Sequence, residues 1–436
     1  MNPKEARKHI NKRMLADGMS QIIDLEKSHG SWLVDGRDNR EYLDLFSMFA
    51  SLSVGYNHPY VVENKERLMS SAINKPTNSD VYSIEMAEFV STMGRVAQPE
   101  YLPYAFYIEG GGVAVENALK TAFDWKVRKN LEKNIKNKGS QIIHFKECFH
   151  GRTGYTLSLT DSPDPRKTLF FPKFDWPRID NPKIDFPLTD ESLTALEEKE
   201  KFAIQQIKSA LAANENDIAA LIIEPIQGEG GDNHFREEFL SQLKTLSLEE
   251  EFLLIFDEVQ TGVGITGNMW AHQAFSENAQ PDIISFGKKT QVCGIFASKR
   301  LDEVENHVFT ESSRINSTWG GSLVDMVRFT LYLEIIENEN LVNNAKEMGK
   351  HLSDCLNNLQ NNHPGYVSNS RNRGLFGAFD LNTGDERDKL ADIILNEGAM
   401  MLGCGKKSIR FRPHLNITSD EIDRGFEIID AALKRL

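Results

Sequence analysis

Two short apolar runs, Leu253-Leu254-Ile255-Phe256 and Ile283-Ile284-Ser285-Phe286, constrain the fold of this chain more than any other feature. Each stops abruptly at polar residues, Asp257 and Glu258 after the first and Gly287 and Lys288 after the second. Runs this short, with helical material expected between them, read as buried parallel strands of an α/β sheet. Ligands of such sheets bind beyond the carboxyl ends of the strands. The spacing therefore predicts that Asp257 and Lys288, 31 residues apart, point into one crevice.

An acid and a lysine so placed suit pyridoxal phosphate. That cofactor takes a lysine amine as a Schiff base and needs a carboxylate beside its pyridine nitrogen to keep the nitrogen protonated. Lys288 would be the first and Asp257 the second. Taken singly, an Asp at a strand end is a turn or helix cap, and a Lys is a solvated surface group. A sharper rival is a Walker B strand, in which an apolar run followed by an acid binds magnesium. It requires a partner loop G-x-x-x-x-G-K-[ST]. The segment Gly287-Lys288-Lys289-Thr290 lacks both the first glycine and the spacing.

Length and charge narrow the class. A chain of 436 residues exceeds one simple core, so more than one domain is expected. A net charge of −14 argues against non-specific nucleic-acid binding and against an anionic membrane surface. No apolar run approaches the roughly 18 residues of a membrane span. The first residues, MNPKEARKHINKRML, lack the apolar core of a signal peptide. Cys148, Cys293, Cys355 and Cys404 form no C-x-x-C pair, so no metal site is expected, and free thiols in a reducing cytoplasm are the simplest reading.

Along the chain, residues 1–27 read as a helix and a turn. Residues 30–45 read as a hairpin about Asp-Gly-Arg-Asp-Asn, and 46–59 as a loop. Helices are expected near 63–72 and 82–96. A strand at 102–108 runs into Glu109-Gly110-Gly111-Gly112 and a helix over 113–130 with Ala114, Ala118, Ala122 and Trp125 on one face. A glycine turn feeding a helix N-terminus is an anion site, because free amides and the helix dipole favour phosphate. A strand at 141–145 leads into Cys148-Phe149-His150-Gly151-Arg152. There Phe149 or His150 would stack on a flat ring, and Arg152 would grip a carboxylate. Residues 161–193 form a long proline-rich loop of the kind that is often functional. Helices at 191–212 and 235–250 flank a strand at 218–224. A long helix is expected from Leu323, and the last hundred residues or so read as a small α+β domain.

The order of these motifs resembles the class III aminotransferases, pyridoxal-phosphate enzymes of fold type I. The likeness spans Gly30 to Pro413: NHP at 57–59, the glycine turn at 110–112, FHGR at 149–152, EPIQGEGG at 224–231, DEVQTG at 257–262, Lys288 and TWGG at 318–321. Within the class, the segments IEGGGVAVENALKTAFDWK, FPKFDWPRID, FGKKTQVCG and NSTWGG look most like the L-lysine 6-aminotransferase branch. Ile265, Lys289 and the Glu109-Gly110-Gly111-Gly112 turn depart from the commoner class pattern and fit that branch.

The resemblance implies an α/β fold with a large cofactor domain (61–325) and a small domain built from residues 1–60 and 326–436. It implies that Lys288 forms the Schiff base and shuttles the proton, and that Asp257 pairs with the pyridine nitrogen. Gln260 would bond the ring hydroxyl near the substrate, Gly111 and Gly112 would bind the phosphate, and Phe149 would cover the ring. Thr318 would reach the phosphate from the other subunit of a homodimer. Arg152 would hold the lysine carboxylate, and Arg410 the α-carboxylate of glutamate or 2-oxoglutarate. Lysine presents an amine with no carboxylate beside it, so a free Arg410 would then be an uncompensated buried cation. The motif suggests that Glu229 pairs with it and is displaced by glutamate.

The implied reaction is L-lysine plus 2-oxoglutarate giving 2-aminoadipate 6-semialdehyde plus L-glutamate. Ornithine, acetylornithine or 4-aminobutyrate donors are the alternative within the class. Outside the class stand the Walker ATPase and a catalytically silent sensor or scaffold, against which Lys288, Asp257 and Arg410 together argue.

Overall fold

The computed structural model describes residues 1–436. The hairpin forms as expected: β1 (Trp32–Val34) pairs antiparallel with β2 (Glu41–Asp44), Leu33 opposite Tyr42. The central sheet takes β3 (Tyr104–Ile108), β4 (Gln141–Phe145), β5 (Arg178–Ile179) and β6 (Ile218–Ile223). A two-stranded ribbon, β7 (Ile226–Gln227) and β8 (Asn233–His234), follows. The sheet is completed by β9 (Leu253–Asp257), β10 (Ile283–Phe286) and β11 (Cys293–Ala297). Its order is β3-β11-β10-β9-β6-β4-β5.

The pairing determines where a site can sit. β9 is parallel to β10 and β6, and β6 to β4. β11 runs antiparallel to both β10 and β3. Hence β3, β10, β9, β6 and β4 all end at one edge. Every residue of β6, β9 and β10 is buried, the signature of a sheet covered on both faces. Each enclosed Leu or Ile contributes about 1.5–3 kcal/mol. The helix Gly111–Glu132 covers β6, β10 and β11 and buries Ala114, Ala118, Ala122 and Trp125, the face that the spacing predicts.

Two local expectations change. No α-helix joins β9 to β10; only the single turns Ala271–Ala274 and Glu277–Ala279 intervene. Gly264 and Gly267 adopt φ of +81° and +83°, which a right-handed helix excludes. The Glu258 carboxylate instead organises the segment, accepting from Thr261 Oγ1 at 2.6 Å, Ala271 N at 2.8 Å and His272 N at 2.9 Å. The loop at 46–59 contains a left-handed turn, Ser47–Ala50, with φ between 41° and 62°. Left-handed backbone costs roughly 1–2 kcal/mol per non-glycine residue. Asp44 holds the turn by accepting from the amides of Phe46 and Ser47 at 3.0 and 2.7 Å.

The C-terminal part forms β12 (Ser368–Arg373), β13 (Phe376–Asp380), β14 (Ala399–Met400), β15 (Leu402–Cys404) and β16 (Ser408–Phe411). Four of these make an antiparallel sheet, β12-β13-β16-β15. β14 pairs instead with β2, Ala399 opposite Leu43, which joins the two ends of the chain. The helix Leu323–Asn338 packs on the helix Ile84–Val96. No helix is long and apolar enough to cross a membrane.

Candidate active site

The shared strand edge opens into a cavity of about 700 Å³, within the range of small-molecule sites. Phe149, Arg152, Glu229, Gln260, Lys288 and Arg410 all line it. β15 and the turn after it, residues 402–406, close one wall.

Lys288 follows β10 in a tight turn, with φ +53° at Lys288 and +62° at Gln291. Non-glycine residues held there are a form of strain that concentrates at functional sites. The turn is tied to the 47–53 segment: Ser53 Oγ donates to the Lys289 carbonyl at 2.7 Å, and Gln291 Nε2 donates to the Ser51 carbonyl at 2.7 Å. Burial, then the nearby Arg410 and Arg412, pushes the Lys288 amine down to about 7. Lys289 takes a different course. Its side chain is buried outside the cavity wall and donates to the Gln260 carbonyl at 3.0 Å.

Asp257 ends β9 and is buried behind the cavity. Its Oδ1 accepts from Val259 N at 3.0 Å, and its Oδ2 lies 2.7 Å from His150 Nδ1. His150 therefore supports the acid instead of stacking on a ring. Burial opposes charge on this imidazole, yet Cys148 and the Asp257 hydrogen bond hold it well above its ordinary value. Glu224 joins the cluster, accepting from Phe149 N at 2.8 Å and Gly228 N at 3.0 Å. Burial, with Asp257 adding to it, pushes its carboxyl up to about 7. Glu258 is fully engaged by Thr261, His272 and the amides of Ala271 and His272, so it forms no acid pair with Asp257 of the kind a Walker-type magnesium site needs.

The glycine turn forms an open cradle. The first helical bond runs from Ala114 N to the Gly110 carbonyl at 2.9 Å, which leaves the amides of 111–113 without a helical partner. A Cβ on Gly111 would meet Val259 Cγ1 at 3.0 Å, and one on Gly151 would meet Gly112 Cα at 2.8 Å. Three loops, from β3, β4 and β9, thus approach closely only because these residues are glycine. An amine, a buried carboxylate, a half-buried phenyl ring and unpaired helix amides are a donor set that fits a phosphorylated pyridine aldehyde.

The carboxylate-binding candidates divide. Arg152 is exposed at the cavity wall and has no protein hydrogen bond or ion pair. Arg410, on β16, is buried and also has no side-chain partner; burial lowers its affinity for the proton. The expected Glu229–Arg410 pair is not formed. Glu229 accepts from Ser162 Oγ at 2.8 Å and pairs with Lys167. Its Oε2 is buried without a partner. The physical reason is that the 161–193 loop brings its own cation to this acid. Gln260 is fixed from behind: its Oε1 accepts from Arg412 Nε at 3.0 Å and Nη2 at 2.9 Å. Arg412 in turn is paired with Asp232 and stacked on Phe376. Thr318 lies outside the cavity on an exposed loop, next to the half-exposed Trp319.

Sequence reasoning passed over Lys167, Ser162, Asp232 and Arg412. For Arg412 a signal exists, since Arg410 and Arg412 alternate onto one face of an extended segment. For Lys167 none does, because its position depends on loop conformation.

The family model for aminotransferase class-III matches residues 14–433. The L-lysine-epsilon aminotransferase of Mycobacterium tuberculosis is 47% identical, covering 99% of this chain and 96% of its own. That of Amycolatopsis lactamdurans is 45% identical with the same coverage. The solved lysine aminotransferase from M. tuberculosis in the internal aldimine form superposes with a TM-score of 0.97, at 46% identity over 100% of both chains.

Proposed function

The chain belongs to the class III aminotransferases, and from that premise we propose that it moves the ε-amine of L-lysine to 2-oxoglutarate, giving 2-aminoadipate 6-semialdehyde and L-glutamate. Its cofactor is pyridoxal 5′-phosphate, which supplies an electron sink for the carbon that carries the amine. The observation that carries the reading is the pair of arginines without protein partners, Arg152 and Arg410, in the cavity that holds Lys288. Donor and acceptor each bring a carboxylate at a different distance from the reacting carbon, and two separate guanidinium forks accommodate both.

The chain's own residues divide the work. Lys288 supplies the amine that ties the cofactor to the protein. With its amine lowered to about 7, Lys288 is about half free base at neutrality, and once released from the cofactor it would be placed to take the proton from the amine-bearing carbon. Asp257, held by His150, would be the carboxylate that pairs with the pyridine nitrogen. Gly111 and Gly112 would offer amides to the phosphate, Phe149 would cover the ring, and Gln260, locked by Arg412, would bond the ring hydroxyl. Arg152 receives the lysine carboxylate and Arg410 the α-carboxylate of glutamate.

The exposed position of Thr318 supports a homodimer in which Thr318 of one subunit completes the phosphate site of the other. A large domain from residue 61 to the end of the helix Leu323–Asn338 fits the packing better than a boundary at 325, because that helix lies on Ile84–Val96. Residues 1–60 and the C-terminal part form the small domain. Four unpaired cysteines support a cytoplasmic location.

The test is the visible absorption of the cofactor-loaded protein. L-lysine without keto acid should bleach the band, and 2-oxoglutarate should restore it. A protein that bleaches with ornithine or 4-aminobutyrate but not with lysine would keep the class and overturn the donor.

A further inference from the structure

We infer that Lys167 is a positioning residue that sets which carboxylate Arg410 can accept, by holding Glu229 away from it. The inference rests on the functional reading above. It begins from two unsatisfied groups in one cavity. Arg410 is buried with no side-chain partner, and Glu229 has one buried oxygen, Oε2, with none. Opposite charges lining one cavity would be expected to pair. They do not, because the other Glu229 oxygen is engaged by Lys167 and by Ser162 Oγ at 2.8 Å.

Both holding residues come from the 161–193 loop, and the loop is prepared for the task. Asp164 caps the single turn Pro165–Lys167 by accepting from Arg166 N at 3.1 Å. Upstream, Asp161 Oδ2 accepts from Glu147 N at 2.8 Å. The Lys167 ammonium also lies 5.7 Å from the Phe149 ring centroid. The ammonium is therefore held between an acid and an aromatic face, not left waving in solvent.

Glu229 thus has two alternative cations, Lys167 and Arg410. With glutamate or 2-oxoglutarate in the site, the α-carboxylate takes Arg410, and Glu229 rests on Lys167 and Ser162. With lysine, no carboxylate stands near the reacting amine, and Glu229 moves to neutralise Arg410. Lys167 stabilises the first arrangement, so it favours the glutamate half-reaction and slightly opposes the lysine one. Such bias equals the difference in interaction with the two states and nothing more.

The experiment uses holoenzyme and follows the two half-reactions separately by cofactor absorption, against L-lysine and against L-glutamate. A charge-assisted hydrogen bond in a partly buried site suggests an effect of about tenfold. Lys167→Met should raise the glutamate concentration at half-saturation about tenfold and leave that for lysine within about twofold; Lys167→Arg should restore it. In a Glu229→Gln background, Lys167→Met should add nothing, because its effect passes through Glu229. Equal losses in both half-reactions, no loss in either, or a glutamate loss that persists in the Glu229→Gln background would overturn the inference. A wild-type enzyme inert to lysine would overturn the donor instead, and the glutamate arm would still decide the role of Lys167.

Discussion

His150 Nδ1 and Asp257 Oδ2 meet at 2.7 Å in a pocket that leaves both side chains essentially inaccessible. Breaking a buried charged pair by removing one partner typically costs about 3–5 kcal/mol. His150→Leu should therefore lower the stability of the cofactor-free protein by roughly that amount in urea titration. His150→Gln, which can still donate, should lose less. Equal stability of His150→Leu and wild type would show that Asp257 needs no imidazole.

Lys288 and Lys289 are neighbours with separate surroundings. Lys288→Ala should abolish transamination of lysine, whereas Lys289→Met, which keeps the buried stem, should retain it. Turnover of lysine by both variants decides the matter, and the reverse pattern would reassign the site.

The depressed Lys288 amine gives a pH prediction with a definite sign. A lysine with a folded value near 7 becomes nucleophilic as pH rises through 7, about three units before an ordinary lysine near 10.4. In cofactor-free protein, acylation of Lys288 by an amine-directed reagent, read by mass spectrometry, should rise with a midpoint near 7. A midpoint near 10 would mean that Lys288 is solvated and unperturbed.

Gly151 adopts φ +118°, and a Cβ there would lie 2.8 Å from Gly112 Cα. Gly151→Ala combines backbone strain with displacement of the phosphate cradle, together about 1–3 kcal/mol. Cofactor affinity, measured by equilibrium dialysis, should fall about tenfold or more. Unchanged affinity would place the phosphate elsewhere.

Thr318 provides a test of the shared site. Subunits carrying Lys288→Ala and subunits carrying Thr318→Ala should each be impaired alone. Mixed after dissociation, they should recover up to about a quarter of wild-type activity, because half the dimers are mixed and one of two sites in each is intact. No recovery would put Thr318 in its own subunit's site or in none.

Much of this site was legible in the sequence because strand ends are legible. Asp257 and Lys288 close continuous apolar runs, and a parallel sheet leaves them at one edge whatever lies between. That is why the missing α-helix between β9 and β10 did no harm to the reading. Gly111 and Gly112 were legible for a similar local reason. The Glu229 arrangement was not, since it depends on where the irregular segment ahead of β5 sets down one ammonium group. The role of His150 was left open because FHGR presents two flat rings in succession, and only packing decides which one turns inward to the acid.

The pairing of β2 with β14 also has a history within each molecule. Leu43 N donates to the Gly398 carbonyl at 2.9 Å, and Leu45 N to the Met400 carbonyl at 3.1 Å. On a ribosome adding about 5–20 residues per second, the first of these residues waits on the order of tens of seconds for its partner to be synthesised. Meanwhile the nascent hairpin presents an open strand edge. The intervening sheet can fold during that interval, so the pairing of β2 with β14 closes last. A truncated chain ending before residue 398 should leave the N-terminal hairpin the first target of proteases and chaperones.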